Sequence, residues 1–400
     1  MNERLTRHDL LIVSRIPVAR RGGRAHADAL WAADLAANAE VAGRLALLCP
    51  VRDLSPEGTV PLDGRIAVID AGGITDEALA EAVRASDVLE IPGNFTWAES
   101  ALARRALGAA RREGRLSVLG ISSNRARTAV MNAAGRPWPF RLRAAARAAS
   151  IRLSQRHLAR RCDAVRVVGE GLVPLVRGAA RVLRVETASW IAEAHVLPAR
   201  HGQPDPPRAA VASRLEPMKG VALALEAVAR AGAAGTPVAL DVIGAGPEEG
   251  ALRRLAEAEG IAGRTRFLGP LGYPGPFHAA LDDVDYVLLT NLNDEQPRVL
   301  FDAMARGAIP LCPASPACRA LGLDGRVYYA QGSAEALAGR LLALVRMPEG
   351  ERRALREGLR RAALARTIAT MHAERRDWLL SLLRARAGGG AAGTGVSGAP

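Results

Sequence analysis

Apolar residues in this chain fall in short runs of four to six, separated by polar turns and by stretches of helical spacing. Runs at residues 10–14, 45–49, 66–70, 88–91, 116–121 and 164–168 have the length and apolar density of buried strands. An Ala-rich helical stretch reaching about Ala42 follows the first of them, and helix-like stretches part several of the others. Beyond residue 207 the alternation resumes with greater regularity, with strand-like runs at 209–213, 238–243, 265–268, 286–290, 308–312 and 326–329. Strands alternating with helices predict parallel sheets covered on both faces. Two such blocks predict an α/β protein of two Rossmann-like, doubly wound domains, which suits a chain of 400 residues.

The breaks in the pattern set the boundaries. Residues 187–207, containing HGQPDPP, have no apolar periodicity and predict a linker. The domains are therefore expected at 1–190 and 208–350, with 191–207 between them, helices at 351–385, and a disordered Gly/Ala tail at 386–400. Residues 15–28 read as a loop, in which Gly22 and Gly23 would let the backbone approach a ligand at the end of the first strand. A glycine pair is also an ordinary turn. Residues 141–161 are Arg-rich and helical in spacing, with Arg143 and Arg147 roughly opposite Arg152 and Arg156. Because the arginines do not gather on one face, a solvated helix is expected, and contact with anionic lipid stays open. Trp138 and Phe140 just upstream suit an acceptor or lipid contact, or simple packing under a loop.

Composition narrows the function. No apolar run approaches the ~20 residues that span a bilayer, and the charged N-terminus has no unbroken apolar segment of the kind a secretion signal needs. Cys49, Cys162, Cys312 and Cys318 form neither a CxxC pair nor a His-flanked cluster, so thiols in a reducing cytoplasm are expected and no metal site. The formal charge of +13 could serve nucleic acid or an anionic membrane surface. Aromatics make up only 4% of the chain and do not interleave with the basic residues, which argues against nucleic acid. Lys219 is the single lysine beside 53 arginines. A lysine that escapes such a bias is a candidate for needing a compact ammonium rather than a planar fork.

The chemistry gathers in three loops of the second block. In SRLEPMKG, Arg214 and Lys219 stand five residues apart before a helix, and two cations beside a helix N-terminus make an anion site. In IGAGPEEG, Gly244 and Gly246 permit close backbone approach. The third stretch, DEQPRVLFDAMARGAIP at 294–310, follows a strand. Pro297 suits the first turn of a helix, Val299, Leu300, Ala303 and Met304 give it an apolar face, and Gly307 with Pro310 ends it. Asp294 and Glu295 then lie in a loop at a strand's C-terminal end, where open α/β sheets bind ligands, and Asp302 lies about a turn and a half into the helix. The spacing of Arg298, Asp302 and Arg306 also fits an exposed charge ladder worth about 0.3 kcal/mol per pair. Cations for phosphates in one loop and carboxylates for hydroxyls in another describe a sugar nucleotide.

These motifs, SRLEPMKG, VIGAGPEEG, RFLGP and DEQPRVLFDAMARG, stand in the order and at the spacings of one family. Residues 209–345 resemble the C-terminal domain of the retaining GT-B glycosyltransferases of group 1, the family 4 type. The resemblance implies two domains facing across a cleft, with C-terminal helices crossing back to the first. It implies that Arg214 and Lys219 hold the donor diphosphate and stabilise the charge that builds on it. Asp294 matches the family's first glutamate, which contacts the donor sugar, and Asp302 the second, which binds ribose hydroxyls. Glu295, Pro297, Arg298 and Val299 would complete the donor site with Gly244 and Gly246, and Gly22 and Gly23 would lie on the acceptor side. The chain departs from the family in having aspartate at both acidic positions and Gln296 in place of the usual aromatic. The stretch GISSNRAR lacks the histidine many relatives keep, leaving Ser122, Ser123 and Asn124 there without an assigned role.

The expectation is a glycosyltransferase that moves a sugar from a nucleoside-diphosphate sugar to a glycan or lipid-linked acceptor, with retention and without cofactor or metal. Surface polysaccharide or glycolipid synthesis fits the charge and the family, in the cytoplasm or at the inner face of the membrane. A non-catalytic nucleotide-binding relative, nucleotide-sugar epimerisation and sugar phosphorolysis stay open as alternatives.

Overall fold

The computed structural model describes residues 6–52 and 59–388. Within them the chain forms two compact units: one of residues up to 130, 136–187 and 368 onward, the other of 131–135 and 188–367.

The strands of the first unit are β1 (Leu10–Val13), β2 (Val18–Arg21), β3 (Arg24–Asp28), β4 (Leu45–Cys49), β5 (Val51–Arg52) and β6 (Thr59–Pro61). They continue with β7 (Ile66–Asp70), β8 (Val88–Pro92), β9 (Leu116–Ile121), β10 (Ala164–Val168) and β11 (Leu183–Glu186). Seven of them make a parallel sheet in the order β11-β10-β9-β8-β1-β4-β7. Helices α1 (Ala29–Val41), α2 (Asp76–Arg84), α3 (Ala101–Arg112), α4 (Arg125–Met131) and α5 (Trp138–Arg161) connect them. Asp28 starts α1 by accepting from the backbone N–H groups of Leu30 and Trp31, satisfying donors that a helix N-terminus leaves open.

Residues 15–28, expected as a loop, instead contain an antiparallel hairpin of β2 and β3, joined by β5 and β6 into a second, four-stranded sheet. Gly22 and Gly23 are its two-residue turn, both at positive φ (54° and 76°), which the right-handed twist of a tight hairpin demands. Nothing lies within 4 Å of where either Cβ would be.

The second unit contains β12 (Arg208–Ala212), β13 (Ala239–Ile243), β14 (Thr265–Gly269), β15 (Tyr286–Leu288), β16 (Ile309–Pro313) and β17 (Tyr328–Tyr329). These form a parallel sheet in the order β14-β13-β12-β15-β16-β17. Its helices are α6 (Val221–Ala233), α7 (Glu249–Ala258), α8 (Gly275–Asp282), α9 (Val299–Ala305), α10 (Pro316–Arg319), α11 (Ala334–Val345) and α12 (Glu349–Leu364). Both units are thus Rossmann-like, with the chain running out to one side of the first strand and then to the other. In the second unit that reversal lies between β12 and β15, which is where an open α/β sheet leaves a crevice for a ligand.

Two boundaries differ from the expectation. Residues 188–207 are not a free linker but part of the second unit: Ile191 is fully buried in its core, Leu197 bonds to Ala305, and Arg356 donates to the Gly202 carbonyl. The helical stretch 351–385 divides as well. Helix α12 stays with the second unit through the buried Arg356–Asp285 pair at 3.1 Å, whereas α13 (Ile368–Ala387) belongs to the first. Arg386 and Ala387 are helical rather than part of the expected tail, and residues 389–400 of that tail lie outside the described residues.

Charged groups inside the sheet fix α13 to its unit. Arg166 on β10 reaches Glu90 on β8 and Glu186 on β11, and Arg375 of α13 bonds both oxygens of Glu186 at 2.8 and 2.7 Å. Gly120 on the intervening strand is what lets the first of these contacts cross it, because a Cβ there would sit 2.9 Å from Glu90 and 3.1 Å from Arg166. Burial alone would raise the Glu186 carboxyl, but Arg166 and Arg375 outweigh it and hold it at about 2. His372 of α13 adds a bond to Asp34 at 3.0 Å.

Candidate functional site

The second unit brings its three chemical loops to one edge of its sheet. After β12 the chain passes Arg214 and a single 3-10 turn, Pro217–Lys219, before α6 begins. Gly220 joins the two in the left-handed conformation (φ 59°), and a Cβ there would meet the Thr290 carbonyl at 2.6 Å. The loop after β15 is stitched to this turn: Thr290 donates its hydroxyl to the Lys219 carbonyl at 2.7 Å, and Leu292 N–H donates to Met218 at 3.0 Å. Lys219 and the 291–296 loop therefore hold a fixed relation across the crevice between β12 and β15.

The glycines after β13 serve the same packing. A Cβ on Gly244 would lie 1.9 Å from the Ser213 carbonyl, and one on Gly246 would lie 2.3 Å from that of Leu215. Gly244 also sits at φ 124°, which L side chains rarely adopt. These two residues let the β13 loop close onto the Arg214 loop, backbone against backbone.

The charges are now placed. Arg214 is exposed and pairs with Glu216 at 2.7 Å, a partner the sequence did not single out. Lys219 is largely covered, and that burial lowers its pKa, with Glu295 the foremost of the charges acting against the shift. Asp294 and Glu295 are half-buried in the loop, Pro297 is buried, Val299 opens α9, and Arg298 stands with its guanidinium 3.4 Å over the Trp190 ring. Gln296 donates to the Ala188 carbonyl at 2.7 Å. Asn293, only 1% exposed, has neither its amide oxygen nor its nitrogen paired. A buried amide left so costs about 1–3 kcal/mol, which a polar ligand or water in the crevice would relieve.

Asp302 is not part of an exposed ladder. It is 5% exposed, and its Oδ1 lies 2.8 Å from Nε2 of His278 on α8, itself 5% exposed. Arg306 pairs with Asp282 through two bonds, at 2.7 and 2.8 Å. His195 stands edge-on to His278 at 4.8 Å, and Tyr273 does so at 5.2 Å. The Tyr273 hydroxyl donates to Trp190, and burial, with the Asp302 charge, raises its pKa. Burial, then His278, lowers the pKa of His195. This cluster of Trp190, His195, Tyr273 and His278 around Asp302 and Arg298 was invisible in sequence, because its members lie on three separate segments.

Residues 197–362 match the family model described as glycosyl transferases group 1. The chain carries a group 1 glycosyl transferase domain. The enzyme is a glycosyltransferase, as its motifs imply. Solved structures agree on the fold. The Anabaena protein HepE in complex with UDP-glucose superposes with a TM-score of 0.62 at 15% identity, over 94% of this chain and 100% of that one. Sucrose-phosphate synthase from Thermosynechococcus elongatus gives 0.60 at 15% identity over 95% and 100%. WaaG, a glycosyltransferase of lipopolysaccharide biosynthesis, gives 0.60 at 12% over 92% and 99%. The two Rossmann-like units are accordingly those of the GT-B glycosyltransferase fold. No curated protein matches the chain in sequence.

Proposed function

We propose that the glycosyltransferase moves a hexosyl group from a nucleoside-diphosphate sugar, with UDP as the first nucleotide to try, to a glycan or lipid-linked acceptor. The observation that carries this reading is the placement of Arg214 and Lys219 after β12, beside the carboxylate loop after β15, at the reversal of strand order. Lys219 binds the diphosphate and stabilises the negative charge that grows on it as the glycosidic bond breaks. Arg214 adds charge once it exchanges Glu216 for phosphate. Glu295, whose charge acts on Lys219, or Asp294 receives the sugar hydroxyls, and Asn293 supplies an unpaired amide beside them. Gly244 and Gly246 shape the floor of this site, with Pro297, Arg298 and Val299 as its far rim.

Ribose binding by Asp302 runs against the covering of that residue by His278. In this reading His278 orients the carboxylate, and the nucleotide draws on its second oxygen. The neighbours described as holding UDP or UDP-glucose support the choice of nucleotide. Retention, leaving-group stabilisation by the two cations without a metal, a glycan or glycolipid pathway, and work in the cytoplasm at an anionic membrane face are the finer parts of the proposal. The Gly22–Gly23 turn is proposed to lie on the acceptor side only as the tip of its hairpin.

The covered Asp302 favours one rival, a relative that binds the nucleotide and transfers nothing. UDP release from UDP-sugars separates the two, since a pure binder releases none even slowly. With turnover in hand, NMR of the product anomer decides retention. Turnover undiminished in EDTA supports the metal-free assignment, and loss restored by a divalent cation refutes it.

A further inference from the structure

Forty-nine consecutive residues, from Gly114 to Cys162, contain eleven arginines and no carboxylate, so almost all of the chain's +13 surplus lies in this one stretch. Its main element is α5, whose first turns stand clear of the protein. Residues 134–143 are all exposed, and the buried face of the helix begins only at Ala148. That face is formed by Ala148, Ile151, Leu158 and Ala159. At about 100° per residue, a second apolar stripe runs along the opposite side through Trp138, Leu142, Ala149 and Leu153. Trp138 is 73% exposed, Leu142 61% and Leu153 60%. Arg141 and Arg152, both exposed, border one side of the stripe, and the exposed Arg156 and Arg160 continue its line beyond Leu153. Two opposed apolar faces explain why the arginines show no single polar side in sequence.

Single exposed apolar residues are normal on a protein surface, but three large ones in register along about 22 Å of helix are not. We propose that this outer stripe of α5 docks on an anionic bilayer surface, with Trp138, Leu142 and Leu153 entering the headgroup boundary and Arg141 and Arg152 pairing with lipid phosphates. The occupant is set by charge and shape together. A soluble polyanion would use the arginines and leave the stripe in water, whereas a lipid interface satisfies both. Phe140 lies off the stripe with Arg136 over its ring at 5.1 Å, and Arg147 is drawn back to Glu99 at 3.0 Å, so neither takes part. This deepens the membrane part of the reading above by naming the element that makes the contact.

The test is flotation of the full chain with vesicles of phosphatidylcholine, with and without phosphatidylglycerol. Binding is expected only with the anionic lipid. The paired change Leu142→Glu, Leu153→Glu should lower it on the order of tenfold or more, while moderate salt weakens it without abolishing it. Trp138 emission should shift to the blue on binding, and Trp138→Phe should remove that shift. The same variants are scored for thermal stabilisation by UDP-glucose, so failure of the membrane claim and failure of the donor site are read separately. Absence of binding at low salt overturns the proposal. So does binding that the paired glutamates leave unchanged, since that would be charge alone.

Discussion

The two units obey one rule of topology and differ in what stands where the strand order reverses. In the second, three loops converge there, and glycines at 220, 244 and 246 let their backbones meet at distances any side chain would forbid. In the first, the chain leaves β1 for a hairpin whose turn glycines would point any Cβ into open space. Its buried charges lie instead inside the sheet, where Glu90, Arg166, Glu186 and Arg375 hold α13. The same scaffold thus places close packing under the proposed donor crevice in one unit and buried charge under a docked helix in the other. A parallel sheet offers the crevice, but the loops decide whether it becomes a site.

The sharpest way to break the comparison is Lys219→Ala. It should lower turnover on the order of 10² or more while leaving thermal stability near wild type, because the side chain serves charge rather than packing. Arg375→Met should do the reverse. It removes one of the two guanidiniums on Glu186 and leaves the buried carboxylate to Arg166 alone, which should cost about 1.5–3 kcal/mol in a chemical denaturation series and leave UDP-glucose affinity unchanged. The same pair gives the acid limb. Glu186, near 2 when folded and ordinary when unfolded, adds stability above the unfolded value that disappears as pH falls from about 4.5 towards 2. An acid transition identical in wild type and Arg375→Met would contradict this.

Glycine substitutions sharpen the contrast at smaller scale. Gly244→Ala forces a Cβ into the Ser213 carbonyl and should cost about 2–4 kcal/mol together with donor affinity. Gly23→Ala meets only the φ penalty, about 1 kcal/mol, and donor binding should not change. Smallest is a pH effect. Because burial lowers the Lys219 pKa, its charge and the donor affinity should be lost as pH rises through a value below the ordinary lysine range. Lys219→Arg should flatten that alkaline limb even where it reduces turnover. A limb at the ordinary lysine position would mean that the amine is not desolvated.

Much of this was readable in the chain. The apolar runs marked the strands of both main sheets except β11 within a residue or two, because a buried parallel strand must be apolar on both faces, whereas β11 is a half-buried edge strand carrying Arg184 and Glu186. The β2–β3 hairpin escaped, since among Arg20, Arg21, Arg24 and His26 only Val18, Ala19 and Ala27 are buried and no alternation shows. The placement of Arg214, Lys219 and the carboxylate loop after strands was legible because local turns carry them. Their partners were not. Nothing in the spacing of 294–310 points to His278, 24 residues earlier, so an exposed ladder stayed open for Asp302 although the residue is core. The outer stripe of α5 was hidden in a similar way, since only burial shows which of its two apolar faces the protein leaves uncovered.

The central claim is that Lys219 marks a nucleoside-diphosphate-sugar site. The most direct test is thermal stability against UDP, other nucleoside diphosphates and their sugar conjugates, with wild type beside Lys219→Ala. At a hundred times its Kd a bound ligand adds about 2.7 kcal/mol, a readily visible shift. The account predicts that one nucleotide series stabilises the wild type and largely fails to stabilise the variant. Equal stabilisation of both proteins, or of neither by any of these ligands, would contradict it.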